Sequence, residues 1–245
     1  TPEGRADSHN QTITQGVVGA AEPVASEEAT ATTGGTNTII PVDCKIIYTT
    51  KNFTNDYTMS KNFTLGMMMD GGVNGRHKIQ DQNLQDVKNG PSRIYTIGEI
   101  VCNLAMLAQN MLEPMLEVLP GGIGGYKTQW KINSGYRLRG LVGNESPTSD
   151  HCKGMAVDIG LTTPGLSEKI KATFDLVQKI ERVVPYNQII LEYRNPQSVW
   201  IHSSFRTEGN RKMAFTMVND RTYKRNSAGV PAGFYLVDPI PTKSR

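Results

Sequence analysis

The 245-residue chain lacks several features that would place it in a common functional class. No apolar run approaches the roughly 18 residues that a membrane-spanning helix needs, so we expect no membrane span. The formal net charge is only +3, with the two signs interspersed, which argues against nucleic acid as a partner. No glycine motif of the phosphate-binding type is present.

Cysteine is also scarce. Cys44, Cys102 and Cys152 are odd in number, widely spaced and without a CxxC pair. This pattern indicates neither a disulfide framework nor a cysteine-based zinc site. We therefore expect each of the three to be a small buried apolar residue.

Residues 1–40 contain no aromatic residue and no leucine. Such a segment cannot bury enough apolar surface to offset its ordering entropy, so we expect a flexible linker or tail, followed by one domain over residues 41–245. Two short runs at its end, 39–42 and 46–48, are rich in β-branched residues and predict an edge hairpin or a docking arm. A flexible start favours one module of a larger protein.

Two long helices are predicted. Thr96 and Glu99 form a capping box at the start of the first, which should run to about residue 118 with a kink or an end at Pro114. The second should span about 164–183. Strand patterns occur at 128–134, 156–159, 188–193, 199–205, 213–218 and 234–237. The class is therefore α+β, with a mostly antiparallel sheet packed with two main helices.

The chemistry concentrates in two segments, SDHCKGMAVD (149–158) and WIH (200–202). Since residues two apart in a strand share a face, Asp158 and His202 would converge if their strands are neighbours, with His151 reaching in from the preceding turn. Two imidazoles and one carboxylate are a ligand set of catalytic zinc with one open position. Gly154 and Ala156 are small, as expected where backbone lies close to an ion. From spacing alone, a core histidine hydrogen-bonded to a carboxylate remains the alternative.

The first segment matches the pattern Ser-x-His-x-x-Gly-x-Ala-x-Asp at Ser149, His151, Gly154, Ala156 and Asp158. This pattern resembles the signature of the zinc peptidase family that contains D-alanyl-D-alanine carboxypeptidases, D-Ala-D-Ala dipeptidases and phage peptidoglycan endopeptidases. Residues 200–202 are similar to the family's final ligand segment, and 134–137 (SGYR) to its substrate-arginine motif. The resemblance covers about residues 60–206, and 60–65 and 103–114 are similar to a phage-rich branch.

The resemblance implies the zinc peptidase fold of the D-Ala-D-Ala carboxypeptidase or Hedgehog-like type, with Zn²⁺ bound by His151, Asp158 and His202. It implies hydrolysis of an amide bond in the peptidoglycan stem peptide. Arg137 would stabilise the oxyanion or hold a substrate carboxylate, unless it is a surface arginine, and Ser149 and Trp200 would contact substrate. By the same resemblance the chain would be a virion tail module acting in the bacterial periplasm and cell wall, with other tail proteins as partners.

The general base departs from the family pattern. Many relatives carry an acidic residue three positions before the last histidine, where this chain has Val199. Glu192, at the end of an apolar run, is our candidate; its alternatives are a structural salt bridge, or a weakened enzyme without a base. A base is worth typically 10²–10⁴-fold in rate. A second hypothesis is therefore a virion structural or wall-binding protein that keeps the zinc site without efficient turnover.

Overall fold

The structure is a computed structural model. It describes residues 39–69, 84, 86–89, 93–118, 130–137, 148–161, 165–194 and 197–242. These all belong to the compact unit Gly35–Arg245. The predicted linker over residues 1–40 therefore lies outside the described residues, apart from Ile39 and Ile40.

The described helices and strands alternate irregularly along the chain. The helices are α1 (Cys44–Thr49), α2 (Ile97–Leu107), α3 (Glu113–Val118) and α4 (Leu166–Val183), with 3₁₀ turns at Leu65–Met68 and His151–Lys153 and a π-helical segment at Ala108–Leu112. The strands are β1 (Val87–Asn89), β2 (Arg93–Tyr95), β3 (Trp130–Ser134), β4 (Ala156–Leu161), β5 (Gln188–Arg194), β6 (Ser198–Ser204), β7 (Met213–Val218) and β8 (Arg221–Thr222).

Six strands form the main sheet in the order β3-β4-β6-β5-β7-β8, and β1 and β2 form a separate antiparallel pair. Neighbours in the main sheet are antiparallel except β5 and β7, which run parallel. The α+β class is confirmed, and the sheet is mixed. β6 pairs with one edge of β5, and the chain then crosses to the other edge of β5, where β7 runs in the same direction as β5.

The two faces of the main sheet differ in chemistry. One face carries Val157, Ile159, Leu191 and Ile201, all at most 1% exposed, and belongs to the apolar core into which α4 also packs. Because side chains alternate along a strand, the opposite face receives Asp158 from β4 and His202 from β6. This parity positions the candidate site.

The first long helix is confirmed, with an irregularity that was not predicted. The capping box of Thr96 and Glu99 is present, and the helical path continues to Val118. It passes Pro114 through the π-helical segment, where the amide of Glu113 donates to the carbonyl of Ala108. Pro114 has no amide hydrogen to give to the preceding turn, and the wider turn accommodates that loss instead of ending the helix.

The expectations for residues 46–48 and for two of the cysteines were wrong. Residues 44–49 form helix α1 rather than a β arm, since the side chain of Asp43 caps it by accepting from the amide of Lys45. Cys44 and Cys102 are joined in a disulfide that attaches α1 to α2, so they are not separate apolar residues. Cys152 is free and buried, as expected, and Cys102 is buried as well but as part of the disulfide.

The predicted strand at 234–237 is also wrong. These residues form no strand, and the chain just before them makes isolated bridges, between Phe215 and Gly233 and between Arg225 and Pro231. Among the described residues, no helix is long and apolar enough to cross a membrane.

Candidate metal centre

Three elements bring the predicted ligands together. Asp158 lies in β4 directly opposite His202 in β6, in an antiparallel register. His151 opens the 3₁₀ turn that leads into β4. His151 is 2% exposed, and the side chains of Asp158 and His202 are 13% and 12% exposed. The three residues form a group that can hold a metal ion.

The ligand atoms form a nearly equilateral triangle. His151 Nε2 lies 3.1 Å from His202 Nδ1 and 3.3 Å from Asp158 Oδ1, and His202 Nδ1 lies 3.1 Å from the same oxygen. A tetrahedral ion with ligands at about 2.1 Å separates neighbouring ligand atoms by about 3.4 Å. The observed spacing is therefore close to what a small ion requires.

A backbone carbonyl fixes the tautomer of His151. Its Nδ1 lies 2.8 Å from the carbonyl oxygen of Gly135, which can only accept, so Nδ1 carries the hydrogen. In the neutral ring, Nε2 then presents a lone pair toward the centre of the triangle. This is the second contact that metal-bound histidines usually make, and it orients the ring as well as the lone pair.

When both rings are neutral, the three side chains have too few hydrogen atoms to provide a donor for every contact in the triangle. His202 Nδ1 has one hydrogen at most, the Nε2 of His151 has none, and the Asp158 carboxylate only accepts. The contact between His151 Nε2 and Asp158 Oδ1 then joins two lone pairs. A cation at the centre, or a proton on an imidazole, resolves this contact.

The ionisation of the group follows the same geometry. Burial raises the pKa of Asp158, but a proton on His151 or His202, which brings both positive charge and a hydrogen bond to the carboxylate, outweighs burial and holds this pKa well below its usual range. Burial lowers the pKa of His202, but the hydrogen bond to Asp158 and the negative charges of Asp158, Glu192 and Asp150 together outweigh burial, so the pKa is raised. The carboxylate is thus ionised and available as a ligand.

Close packing fixes the turn that carries His151. Gly154 has φ +71°, and a Cβ there would overlap the carbonyl of Ile100 in α2. Asn103 of the same helix donates its side-chain amide to the carbonyl of Lys153 at 2.9 Å. The small residue at 154 is therefore required by a helix and a left-handed backbone, and not by the ion as we expected.

A buried polar network supports the turn from its other side. Asp150, 7% exposed, accepts from Arg206 Nη2 at 2.9 Å and from Asn187 Nδ2 at 2.9 Å. Burial raises the pKa of Asp150, but the hydrogen bond and charge of Arg206, together with the charges of Lys153 and His202, outweigh burial, so the pKa is lowered. These residues were not predicted from the sequence. Asp150 adjoins His151 in the motif and could have been noticed, whereas Asn187 and Arg206 form no recognisable sequence pattern with it.

The other predicted site residues lie around the triangle. Arg137 Nη2 is 3.8 Å from Asp158 Oδ2, the oxygen outside the triangle. Ser149 Oγ accepts from the amide of His151 at 3.3 Å, so it supports the turn itself. Trp200 is half-buried, two residues before His202 on the same face of β6.

Glu192 lies on the face of the sheet that carries the triangle. It is opposite Trp200, while His202 is opposite Ile190, so Glu192 is a diagonal neighbour of His202. Burial raises the pKa of Glu192 to about 7, with smaller opposing effects of the nearby charges. Val199, by contrast, is 1% exposed on the core face, where strand alternation directs it away from the triangle.

Comparison with known proteins identified no relative of this chain. No protein-family model, curated protein or solved structure matches the chain.

Proposed function

We propose that the chain is a zinc-dependent peptidase that hydrolyses an amide bond of the peptidoglycan stem peptide, as a virion-associated module of a phage. The observation that carries the proposal is the triangle of His151 Nε2, His202 Nδ1 and Asp158 Oδ1 on the same sheet face as Glu192. Each ligand atom is supplied by a different element, so the group exists only in the folded chain.

The ligand atoms suit zinc. Two imidazole nitrogens and one carboxylate oxygen, spaced for a small tetrahedral ion, leave a fourth position for water or substrate. Bound zinc would supply a Lewis acid that polarises the scissile carbonyl and makes water a stronger acid. His151, with its hydrogen held at Nδ1 by Gly135, is already in the tautomer that this role needs.

Two neighbouring residues have the chemistry to accept the proton of the attacking water and to stabilise the negative charge that develops on the carbonyl. Burial raises the pKa of Glu192 to about 7 in the metal-free chain, so this carboxyl suits a general base near neutral pH and would accept the proton of the attacking water. The guanidinium of Arg137, held near Asp158, supplies fixed positive charge for the oxyanion that develops on the carbonyl. Trp200, opposite Glu192, provides an apolar surface for the substrate.

The substrate and the location rest on the motif resemblance alone. The matched residues 149–158 and 200–202 are those that the peptidoglycan-cleaving members share, and the similarity of 60–65 and 103–114 is to the phage-rich branch. We accordingly place the chain in a virion tail that acts on the bacterial cell wall, with other tail proteins as partners.

The test uses purified protein and purified murein. We expect one equivalent of zinc by elemental analysis, release of soluble peptides from murein, loss of release after chelation and recovery after zinc is returned. Asp158→Asn should abolish zinc binding and release, while Asp175→Asn, on the exposed side of α4, should change neither. Release of peptides that survives complete zinc removal would contradict the proposal.

One observation favours a second function, a virion structural or wall-binding protein that holds zinc without efficient turnover. The acid expected three residues before His202 is replaced by the core residue Val199. Zinc-loaded protein that is no more active than its Glu192→Gln variant, yet sediments with murein, would support this second function. A Glu192→Gln variant that keeps its zinc and loses at least about 100-fold in rate would support the peptidase.

A further inference from the structure

An open groove adjoins the metal centre, and apart from His202 and Ser149 its lining residues have no role in the function proposed so far. Its volume is about 670 Å³, and it runs over the site face of β5 and β7. His202 and Ile190 form its wall nearest the triangle, and Met217 lies toward Glu192, its register partner. The other lining residues are Thr148, Ser149, Asp150, Lys153, Gln188, Arg206 and Arg211.

The end of the groove near Gln188 is cationic. Lys153, Arg206 and Arg211 contribute three positive charges, against the single negative charge of Asp150. Asp150 is already paired, with Arg206 at 2.9 Å and Lys153 at 3.5 Å. The remaining excess of positive charge lies beside a centre that would itself be positive with a divalent ion bound. Such a field attracts an anionic group to this end of the groove.

Arg211 is the residue that can bind this group. Its Nε donates to the Asn187 Oδ1 at 3.0 Å, and Asn187 is fully buried and donates to Asp150. Within the described part of the chain, no hydrogen bond or ion pair uses the two terminal nitrogens of Arg211. A guanidinium held through Nε and open at its other nitrogens is suited to pair with a carboxylate.

The register sets the distance from the metal centre. Ile190 is opposite His202, and Gln188 lies two residues earlier on β5, paired with Met213 of β7. Two strand residues span about 7 Å, so Gln188 and the nearby Arg211 lie one or two residues of an extended peptide away from the ligand atoms. Ser149 and Gln188 offer polar side chains along that path.

We propose that this groove binds an acidic peptide, with Arg211 pairing to a substrate carboxylate one or two residues from the scissile bond. The proposal rests on the peptidase function, because the position of the carboxylate is given relative to the bond that the peptidase cleaves. The groove sets specificity and does not take part in bond cleavage. Removal of Arg211 should therefore weaken binding and leave the chemical step nearly unchanged.

The test measures binding separately from turnover. The probe is a muropeptide with free carboxyl groups, compared with the same muropeptide after chemical amidation. Calorimetry on the zinc-loaded Glu192→Gln protein should give binding of the free form that is at least about tenfold tighter than that of the amidated form. Adding Arg211→Gln should remove most of this difference in affinity, whereas Arg211→Lys should retain part of it. The control Arg221→Gln, at an exposed position in β8, should retain the whole difference.

Turnover supplies the second measurement. In the otherwise unaltered protein, Arg211→Gln should raise KM about tenfold for the free muropeptide, with kcat within about twofold. Equal affinity for the two muropeptides, or equal weakening of both by Arg211→Gln at unchanged zinc content and melting temperature, would overturn the groove proposal. Discrimination in binding without any turnover would retain the groove and reject the peptidase.

Discussion

The three candidate metal ligands and Glu192 share one face of the sheet, but the protein holds them in different ways. Each ligand atom is within 3.3 Å of two others, and His151 has a further hydrogen bond to the carbonyl of Gly135. In the described part of the chain, no hydrogen bond or ion pair holds the carboxylate of Glu192; burial alone dominates its ionisation.

The difference separates two ways of building a reactive site. Packing and hydrogen bonds set positions to within a few tenths of an ångström, as metal binding requires. A proton acceptor needs a suitable pKa as well as a suitable position. Partial burial can raise the pKa of a carboxyl without any hydrogen-bonding partner. Mutations at the centre should therefore change geometry and metal affinity, whereas mutations at Glu192 should change proton affinity.

The largest effect is expected from removing a ligand. His202→Ala should lower zinc affinity by more than about 100-fold, because loss of the hydrogen bonds that only orient a metal ligand already costs about 10–100-fold. Since metal binding energy adds to the free energy of unfolding, we expect zinc to raise the melting temperature of the unaltered protein and not that of the variant. Elemental analysis and thermal unfolding with and without zinc measure both. Unchanged zinc content would remove His202 from the ligand set.

A smaller effect should follow from moving the carbonyl that orients His151. A Cβ at Gly135 would overlap the carbonyl of Met68, which accepts from the amide of Tyr136, so Gly135→Ala must displace one of the two segments. We expect a loss of about 1–3 kcal/mol in unfolding free energy and about 10–100-fold in zinc affinity. Both quantities follow from thermal unfolding and zinc titration.

Gly165→Ala is the matched control, since a Cβ there meets only ordinary contacts, from 3.5 Å outward. It should change zinc affinity little. A Gly135→Ala protein that is destabilised but binds zinc normally would show that the carbonyl does not set the orientation of His151.

Much of the fold follows from local patterns in the sequence. The apolar stripe of the first helix and the alternation in β6 predicted elements that the structure contains. Periodicity carries no information on strand direction, so the parallel pairing of β5 with β7 was not predicted. Residues 46–48 have a β-like composition, but the cap at Asp43 and the disulfide 58 residues away override it.

The candidate site divides in the same way. The meeting of Asp158 with His202 could be derived from strand parity, because the ligand side chains themselves form the pattern. The carbonyl of Gly135 could not, since a backbone oxygen leaves no signature in residue type. Arg211 was missed because its contact with Asn187 depends on where the chain returns to the sheet after β6.

The smallest effect concerns the proton affinity of Glu192 and is measured on zinc-free protein. Its pKa is raised from 4.5 to about 7 in the folded chain, mainly by burial; His202 and Arg137 lower it, while Asp158 and Asp220 raise it. Between these values the folded state keeps a proton that the unfolded state releases. Rising pH therefore favours unfolding, and the stability from the protonated form, complete below about 4.5, is lost by about pH 7.

Glu192→Gln removes this loss. At about 1.4 kcal/mol for each pKa unit, the variant should gain on the order of 2–3 kcal/mol relative to the unaltered protein between pH 4.5 and 8. Urea unfolding at both pH values measures the difference, and any cost of the amide that is independent of pH cancels. Glu208→Gln, at an exposed position, should show no such gain. If Glu192→Gln and Glu208→Gln change the pH dependence of the unfolding free energy to the same extent, burial does not set the proton affinity of Glu192. The contrast drawn between Glu192 and the candidate metal ligands would then be wrong.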